Sequence, residues 1–267
     1  MEGHEQGDGS KTNAAVLKFA PEIRDYAGLQ ERIRGALAGW SKRAPQQSRK
    51  PPPENIVYAV AGQLCRMRRP DVALAVLTQF DTYMRPGELL SIPAQDFLTP
   101  RGFVVGEKYG FLIHPMLGAT PGKTGEYDES VLLDEKSLDW LGPQLAILKS
   151  GKQAHETLFS FGPLEYHKVF SQAADQLGLS AHHLVPYSLR HAGPSVDALS
   201  GRRSLAEIKA RGRWRSDTSV RRYAKAARIL SEASEFDSQI LLFGEQVKEV
   251  IREHFLRGVA LPPPPPR

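Results

Sequence analysis

The chain has 267 residues, of which 41% are hydrophobic and 24% charged, and its formal net charge is +5. This length and hydrophobic content are enough for one sizeable packed domain with a smaller appendage. The single cysteine, Cys65, excludes an internal disulfide, and no apolar run approaches the roughly 20 residues that span a bilayer. We therefore expect an intracellular protein without a membrane partner, and the basic balance favours polyanionic partners.

The first 53 residues fall into three segments of different composition. Residues 1–20 begin with a polar, glycine-rich stretch and are predicted to be a disordered N-terminus. Residues 21–43 carry apolar side chains near helical spacing, which predicts a short helical segment. Residues 44–53, APQQSRKPPP, are rich in proline and predict a stiff, extended linker. A domain boundary is therefore expected at this linker.

Residues 54–257 are predicted to form the main domain, mostly helical with a small antiparallel sheet. ENIVYAVAGQLCRM and DVALAVLTQFDTY have the composition of buried helices, and Pro86 is a favourable first residue for a helix that follows Arg85. Three short segments, RGFVVGE, GFLIHPM and ESVLLD, have strand character. The last two flank the turn-rich loop GATPGKTGEYD, which predicts a hairpin with Lys123 at or near its tip.

The C-terminal part is predicted to be helical again. Helical patterns run from Glu135 onward, and a last long helix is expected over roughly residues 228–256. Residues 258–267 end in PPPPPR and predict a solvated polyproline tail. The fold class expected from these elements is α+β, mainly α with a small antiparallel β-sheet.

Two arginines, Arg85 and Arg190, are 105 residues apart, so only the tertiary fold can bring them together. Guanidinium groups stay charged and present paired donors that match a phosphate, which makes two converging arginines suited to phosphoryl transfer. Glu88, three residues after Arg85, is either its structural ion-pair partner or a residue that orients it within a site. Taken alone, each arginine is equally compatible with a surface ion pair.

Lys123 and Tyr223 are the candidates for proton transfer and nucleophilic attack. A lysine on a hairpin can protonate the 5′-oxygen that leaves when a DNA strand is cut, although a lysine at a hairpin tip is often merely solvated. Tyr223 lies in DTSVRRYAKAARI, where neighbouring cations favour a phenolate. The alternative is a tyrosine that packs a helix face onto the core.

Trp214 and Tyr187 are candidate hydrogen-bond donors to a phosphate. The indole N–H of Trp214 can only donate, and the Tyr187 hydroxyl either donates to the phosphate or positions Arg190. Both are also compatible with packing roles, as a half-buried anchor and a core tyrosine. The histidines near Arg190 lack carboxylates or thiols at useful spacing, so no metal site is predicted.

Together these segments resemble the catalytic domain of the tyrosine recombinases, also called phage integrase-like enzymes. TYMRPGELLSIPAQDF is similar to the segment with the family's first catalytic arginine, here Arg85. PGKTGEYDESVLLD is similar to the family's β-hairpin, with Lys123 as its lysine. YSLRHAGPSVDAL is similar to the His-x-x-Arg box that carries the second arginine, Arg190. IKARGRWRSDTSVRRYA is similar to the closing box, with Trp214 at the His-or-Trp position and Tyr223 as the nucleophile.

The resemblance, over roughly residues 54–235, implies a fold like the tyrosine recombinase catalytic core. It implies DNA strand cleavage and rejoining through a 3′-phosphotyrosyl intermediate, as in site-specific recombination or integration. Tyr223 would attack a DNA phosphate, and Lys123 would protonate the leaving 5′-oxygen. Arg85 and Arg190 would stabilise the transition state, and no metal or nucleotide cofactor is implied. Further contacts to DNA phosphates are expected from four arginines: Arg213, Arg215, Arg221 and Arg222.

Two features depart from the family pattern. Tyr187 stands where the family usually has histidine, which implies either a tuned or an inactive enzyme. Residues 21–43 are much shorter than the family's N-terminal DNA-binding domain, so they are expected to be its remnant, in a chain that is either a fragment or a domesticated remnant of a mobile element. The alternatives that stay open are an inactive DNA-binding protein of the same fold, a type IB topoisomerase-like enzyme and a helical protein-interaction module.

The resemblance also implies partners. Double-stranded DNA is the expected partner. Family members recombine as a tetramer on DNA, with the C-terminal helix exchanged between subunits. Residues 237–257 could form that helix or pack within their own chain. The polyproline tail is a weak ligand signal for an SH3-like partner. A DNA substrate places the protein in the nucleus of a eukaryote or at the nucleoid in the cytoplasm of a prokaryote.

Overall fold

The structure is a computed structural model that describes residues 6–26, 28–43, 50–100, 108–113, 129–223 and 226–266. The chain divides into two compact units, Met1–Arg49 and Lys50–Arg267. Within the described ranges, no helix combines the length and the apolar character needed to cross a membrane.

The first unit contains two α-helices joined by a 3-10 turn. They are α1 (Gln6–Phe19), the 3-10 helix Pro21–Asp25 and α2 (Leu29–Arg43). The disorder predicted over residues 1–20 is corrected here, because α1 occupies most of that segment. A side chain at Gly9 would lie 3.0 Å from Leu37 and from Trp40, so the glycine lets α1 approach α2 closely. The stabilising contact is tertiary, and the composition of the segment does not reveal it.

The second unit contains the remaining helices. The first group is α3 (Glu54–Arg66), α4 (Pro70–Thr82), α5 (Pro86–Leu90), α6 (Leu141–Ser150) and α7 (Pro163–Gln176). The second group is α8 (Leu189–Ser200), α9 (Leu205–Arg211), α10 (Asp217–Tyr223), α11 (Ala226–Ala233) and α12 (Ser238–Arg257). Short 3-10 helices lie at Ala94–Asp96, Lys136–Leu138, Ser180–His182 and Pro186–Ser188.

The predicted last long helix is two helices, α11 and α12, separated by a short turn. The side chain of Asp237 accepts a hydrogen bond of 2.7 Å from the backbone N–H of Gln239 and so caps the start of α12. A capping aspartate satisfies a helix N–H that has no partner within the helix, which favours a new helix start at this point. The prediction of one continuous helix missed this signal.

The sheet has three antiparallel strands in the order β1 (Phe97–Leu98), β2 (Tyr109–Ile113) and β3 (Glu129–Leu133). In the register, Phe111 lies opposite Val131 on one side and Phe97 on the other. The predicted strands in GFLIHPM and ESVLLD correspond to β2 and β3, whereas β1 was not predicted. Residues 101–107, which hold most of the predicted strand RGFVVGE, lie outside the described residues. The predicted fold class, mainly α with a small antiparallel sheet, is confirmed.

Helix α12 packs against α3 of its own chain. A side chain at Gly62 would lie 2.7 Å from Val247, and one at Gly244 would lie 1.9 Å from the carbonyl oxygen of Asn55. The two glycines therefore allow the helices to approach closely. Of the two arrangements open for residues 237–257, the structure shows packing within the chain.

The C-terminal tail is not fully solvated, contrary to the prediction. Leu261 is partly buried and packs against the core. Arg66 in α3 donates a hydrogen bond of 3.5 Å to the carbonyl oxygen of Pro262. The apolar side chain of Leu261, just before the prolines, supplies the burial that a polyproline segment lacks by itself.

Candidate active site

Arg85 is placed by the start of α5. It is the residue before the helix, Pro86 opens the first turn, and the backbone N–H of Arg85 donates to a carboxylate oxygen of Glu88 at 2.8 Å. The Arg85 guanidinium donates to the other oxygen of the same carboxylate. Proline is favourable at this position because its fixed φ suits a helix and the first N–H groups have no helical partner. Glu88 therefore fixes both the backbone and the side chain of Arg85.

Arg190 lies in the first turn of α8 and is fully buried, with 0% of its surface exposed. Its Nη1 donates to the carbonyl oxygen of Tyr83, and its Nη2 donates to that of Gly212 at 3.0 Å. The same Nη1 lies 3.9 Å from Glu88 Oε2. The backbone of two segments far apart in sequence thus orients Arg190 toward the carboxylate that also binds Arg85.

Burial, together with the nearby positive charge of Arg85, lowers the pKa of Arg190 to about 10. The guanidinium is still charged at neutral pH. A buried cation beside a second cation is electrostatically unfavourable, and an anion placed between them relieves this.

Arg213 is the third arginine at this carboxylate. Its Nη2 lies 2.6 Å from Glu88 Oε2. Burial raises the pKa of Glu88, but the charges of Arg213, Arg190 and Arg85 outweigh burial, so the pKa lies below its ordinary value. Arg85, Glu88, Arg190 and Arg213 are called the Glu88 cluster below. Three cations surround one ionised carboxylate, and Arg213 also lies 3.2 Å from Glu129 Oε2. A cluster of guanidinium groups of this kind is suited to binding a phosphodiester.

Trp214 closes one side of the Glu88 cluster. The guanidinium carbon of Arg190 lies 5.2 Å from the centre of the Trp214 ring, and the ring stacks on Tyr83 with centroids 6.3 Å apart. A side chain at Gly212 would lie 2.3 Å from the Trp214 ring, so only glycine leaves the indole this position. The ring therefore supports Arg190 through a cation–π contact.

The chain is similar in structure to the XerH site-specific recombinase bound to palindromic difH substrate in a post-cleavage complex, with a TM-score of 0.52 and 17% sequence identity. The match covers 71% of this chain and 54% of that chain, so this chain spans about half the length of the recombinase. The chain has a tyrosine recombinase-like fold. The resemblance stated from the sequence is thereby confirmed at the level of the fold.

The XerH recombinase bound to difH substrate in a pre-cleavage complex also matches, with a TM-score of 0.49 and 15% identity, over 88% of this chain and 70% of that chain. No protein-family profile matches the chain, and no curated protein does. At these identities the likeness concerns the fold alone.

Within the tyrosine recombinase-like fold, Tyr223 is the last residue of α10. The side chains of Tyr223 and Arg222 lie outside the described residues, as does Lys123 with its whole loop. Their distances to the Glu88 cluster therefore stay predictions. Val220, one turn before Tyr223, is buried in the same apolar cluster as Tyr83 and Trp214, which anchors α10 near the Glu88 cluster.

The other predicted site residues differ in exposure. Arg215 and Arg221 are exposed, as a contact with a DNA backbone requires. Arg213 is not, because only 5% of its side chain is exposed. Tyr187 is half-buried in the 3-10 helix Pro186–Ser188, and its ring centre lies 5.9 Å from that of His191.

A second group of buried charges was missed from the sequence. Asp134 accepts hydrogen bonds from Arg203 at 2.9 Å and from Arg211 at 2.8 Å. Arg211 also donates to Asp81 at 2.6 Å, and Arg203 donates to Asp197 at 2.9 Å. These five residues are called the Asp134 network. They lie up to 130 residues apart and form no short motif, so the sequence offered no signal for them.

The carbonyl groups of Tyr83 and Gly212 were also missed as partners of Arg190. Tyr83 has a left-handed backbone conformation with φ of 56°, directly after α4. This conformation turns the chain between α4 and α5, and the carbonyl of Tyr83 accepts from Arg190. Backbone acceptors of this kind leave no signature in the sequence. Among the described residues, no group of three or more His, Cys, Asp or Glu side chains is arranged to bind a metal ion.

Proposed function

We propose that the chain cuts and rejoins DNA through a 3′-phosphotyrosyl intermediate. The observation that supports this most strongly is the convergence of Arg85 and Arg190 on Glu88, although 105 residues separate the two arginines in sequence. Phosphoryl transfer needs a fixed positive site that stabilises the charge of a five-coordinate phosphorus, and the Glu88 cluster has this property.

In the proposed reaction, the phenolic oxygen of Tyr223 forms a bond to phosphorus and the bond from phosphorus to the 5′-oxygen breaks. The phenolic proton passes to water, and Lys123 gives a proton to the leaving 5′-oxygen. A 5′-hydroxyl then attacks the phosphotyrosine and releases Tyr223. One phosphodiester is exchanged for another of similar energy, so no nucleotide cofactor is needed.

Duplex DNA is the proposed substrate. In the post-cleavage complex to which this chain is similar in structure, the XerH recombinase is bound to its DNA substrate. In this chain the exposed Arg215 and Arg221 follow the Glu88 cluster in sequence and are proposed to bind the flanking phosphates. Assembly into a tetramer on two DNA sites is part of the same proposal.

The test is a trapping experiment with the full chain and a library of duplexes that have a random centre and a nick. Cleavage next to the nick releases a short strand with its 5′-hydroxyl, so the covalent adduct cannot be resealed. We expect an adduct that survives denaturation with the wild-type chain and none with Tyr223→Phe. Tyr58→Phe, the same change in the core of α3, is the control and should keep the adduct. An adduct that persists in Tyr223→Phe would show that another residue is the nucleophile.

A second candidate is a catalytically inactive DNA-binding protein of the same fold. It is favoured by Tyr187, which stands where the family usually has histidine and is only half-buried. This candidate requires DNA binding that weakens with salt and no adduct with any duplex of the library. Failure to bind DNA even at low salt would instead favour a helical protein-interaction module.

A further inference from the structure

Arg213 has a backbone conformation that arginine rarely adopts. It follows α9 with φ of 53°. Its N–H donates to the carbonyl oxygen of Ala210 at 3.0 Å, and the N–H of Trp214 donates to that of Lys209 at 3.1 Å. This pair of bonds is the Schellman arrangement that ends many helices, and its left-handed position is usually glycine. Arginine is unfavourable there because its Cβ crowds the backbone.

The side chain of Arg213 makes contacts that can offset this strain. In addition to Glu88, its Nε lies 3.2 Å from Glu129 Oε2, and its Nη1 donates to the carbonyl oxygen of Arg211 at 3.3 Å. The side chains of Glu88 and Glu129 are only 9% and 14% exposed. All three guanidinium nitrogens therefore face acceptors or carboxylates inside the protein.

We propose that Arg213 is a positioning residue that holds Glu88 against Arg85 and Arg190 and ties this cluster to the first residue of β3. It is not the contact to a DNA phosphate that the sequence predicted. This inference rests on the proposed function of the Glu88 cluster.

The geometry favours positioning over a phosphate contact. Glu88 Oε2 is the oxygen that accepts the backbone N–H of Arg85 and the one that Arg190 approaches to 3.9 Å. Arg213 binds this same oxygen, so it fixes the carboxylate that orients the other two arginines. A direct contact to DNA would require Arg213 to leave Glu88 and Glu129, whose side chains are only 9% and 14% exposed, and breaking buried ion pairs is strongly unfavourable.

The first measurement is the salt dependence of DNA binding by the full chain. The logarithm of the association constant falls linearly with the logarithm of salt concentration, with a slope of about −0.9 for each phosphate contact. We expect Arg213→Gly to leave this slope unchanged. Arg215→Ala, which removes an exposed arginine two residues away, is the control and should make the slope less steep by about 0.9. A loss of about 0.9 in Arg213→Gly would overturn the inference.

The second measurement separates positioning from a merely structural role. Glycine relieves the backbone strain at this position and alanine does not, so Arg213→Gly should unfold at a higher urea concentration than Arg213→Ala. Both lack the guanidinium, so both should form the DNA adduct about 10- to 100-fold more slowly than wild type per folded molecule. Arg213→Lys should recover part of this rate.

An adduct rate that follows stability, with Arg213→Gly close to wild type, would refute the positioning role. A failure of the proposed function would give a different experimental result. If the wild-type chain forms no adduct at all, the proposed function and the positioning role fail together. A changed salt slope with normal wild-type adducts refutes only the role of Arg213.

Discussion

The Glu88 cluster and the Asp134 network are both built from partly or fully buried arginines and carboxylates, but their charge balance differs. In the Glu88 cluster three arginines approach one carboxylate, and one of them also reaches Glu129. In the Asp134 network two arginines are shared among three aspartates. Arg202 also lies 3.3 Å from Asp197, so this network has as many cations as carboxylates, whereas in the described contacts of the Glu88 cluster the cations outnumber Glu88 and Glu129. This difference suggests that the network stabilises the fold and that the cluster binds substrate.

The pKa values of the arginines reflect the same contrast. Burial and the charge of Arg85 lower the pKa of Arg190 to about 10. Burial also disfavours the charge of Arg203, but Asp134 outweighs it and raises the pKa of Arg203 above its ordinary value. A charged group that its surroundings disfavour is common at functional sites, which agrees with the role proposed for Arg190.

The largest effect is expected from replacing one buried arginine in each group with alanine: Arg190 in the Glu88 cluster and Arg211 in the Asp134 network. Arg190→Ala should slow adduct formation about 10³-fold or more, because the transition-state charge loses a fixed cation. Arg211→Ala should instead lower the free energy of unfolding by about 3 kcal/mol, because it leaves buried aspartates without their cation.

Single-turnover adduct formation and urea unfolding of both variants test whether Arg190→Ala mainly slows the reaction and Arg211→Ala mainly lowers the stability. Equal adduct rates per folded molecule in the two variants would contradict the comparison.

Gly212→Ala should affect the Glu88 cluster without changing any charge. The added methyl group would overlap the Trp214 ring, which must then move away from Arg190 and Tyr83. We expect a loss of about 2 kcal/mol in stability, as in other overpacked cores, together with slower adduct formation. Near-ultraviolet circular dichroism would report the movement of the tryptophan. An unchanged spectrum with unchanged activity would show that the ring is not needed at this place.

Asp134→Asn should lower stability by about 1.5 kcal/mol and leave the adduct rate per folded molecule unchanged. The amide keeps one acceptor but loses the charge that binds Arg203 and Arg211. Urea unfolding and adduct formation measure the two effects separately. A lower adduct rate in the folded variant would mean that the Asp134 network also supports catalysis.

The smallest effect concerns the pH dependence of stability, where Glu88 and Asp81 should behave oppositely. The pKa of Glu88 lies below its ordinary value of 4.5. The ionised Glu88 therefore stabilises the fold above pH 4.5, and this stabilisation is lost as the pH falls through the lowered pKa. Burial raises the pKa of Asp81 from 3.8 to about 6, despite Arg211. Its contribution is therefore present below pH 3.8 and is lost as the pH rises through about 6.

Urea unfolding across this pH range, with Glu88→Gln and Asp81→Asn as references, measures the two contributions. The free energy of unfolding of wild type and that of Asp81→Asn should become more alike toward neutral pH. The free energies of wild type and Glu88→Gln should become more alike only in acid. If both contributions to the free energy of unfolding changed in the same direction with pH, the contrast between Glu88 and Asp81 would be refuted.

Much of the fold could be predicted from local signals. The helices α3 and α4 follow from their apolar composition, the strands β2 and β3 from their strand-like composition beside a turn-rich loop, and the start of α5 from Pro86. The helix α1, the short strand β1 and the break between α11 and α12 were missed. The first two depend on contacts with distant residues, such as the packing of Gly9 on Trp40 and the pairing of Phe97 with Phe111.

The sequence by itself determined the order of the motifs and the residue types that a phosphate site needs, because guanidinium chemistry at Arg85 and Arg190 does not depend on the fold. Only the tertiary structure decided that both arginines meet at Glu88 and that Arg213 lies buried between two carboxylates. These facts depend on long-range packing and on two left-handed backbone positions, Tyr83 and Arg213. Neither contributes to the local periodicity or composition from which a sequence can be interpreted.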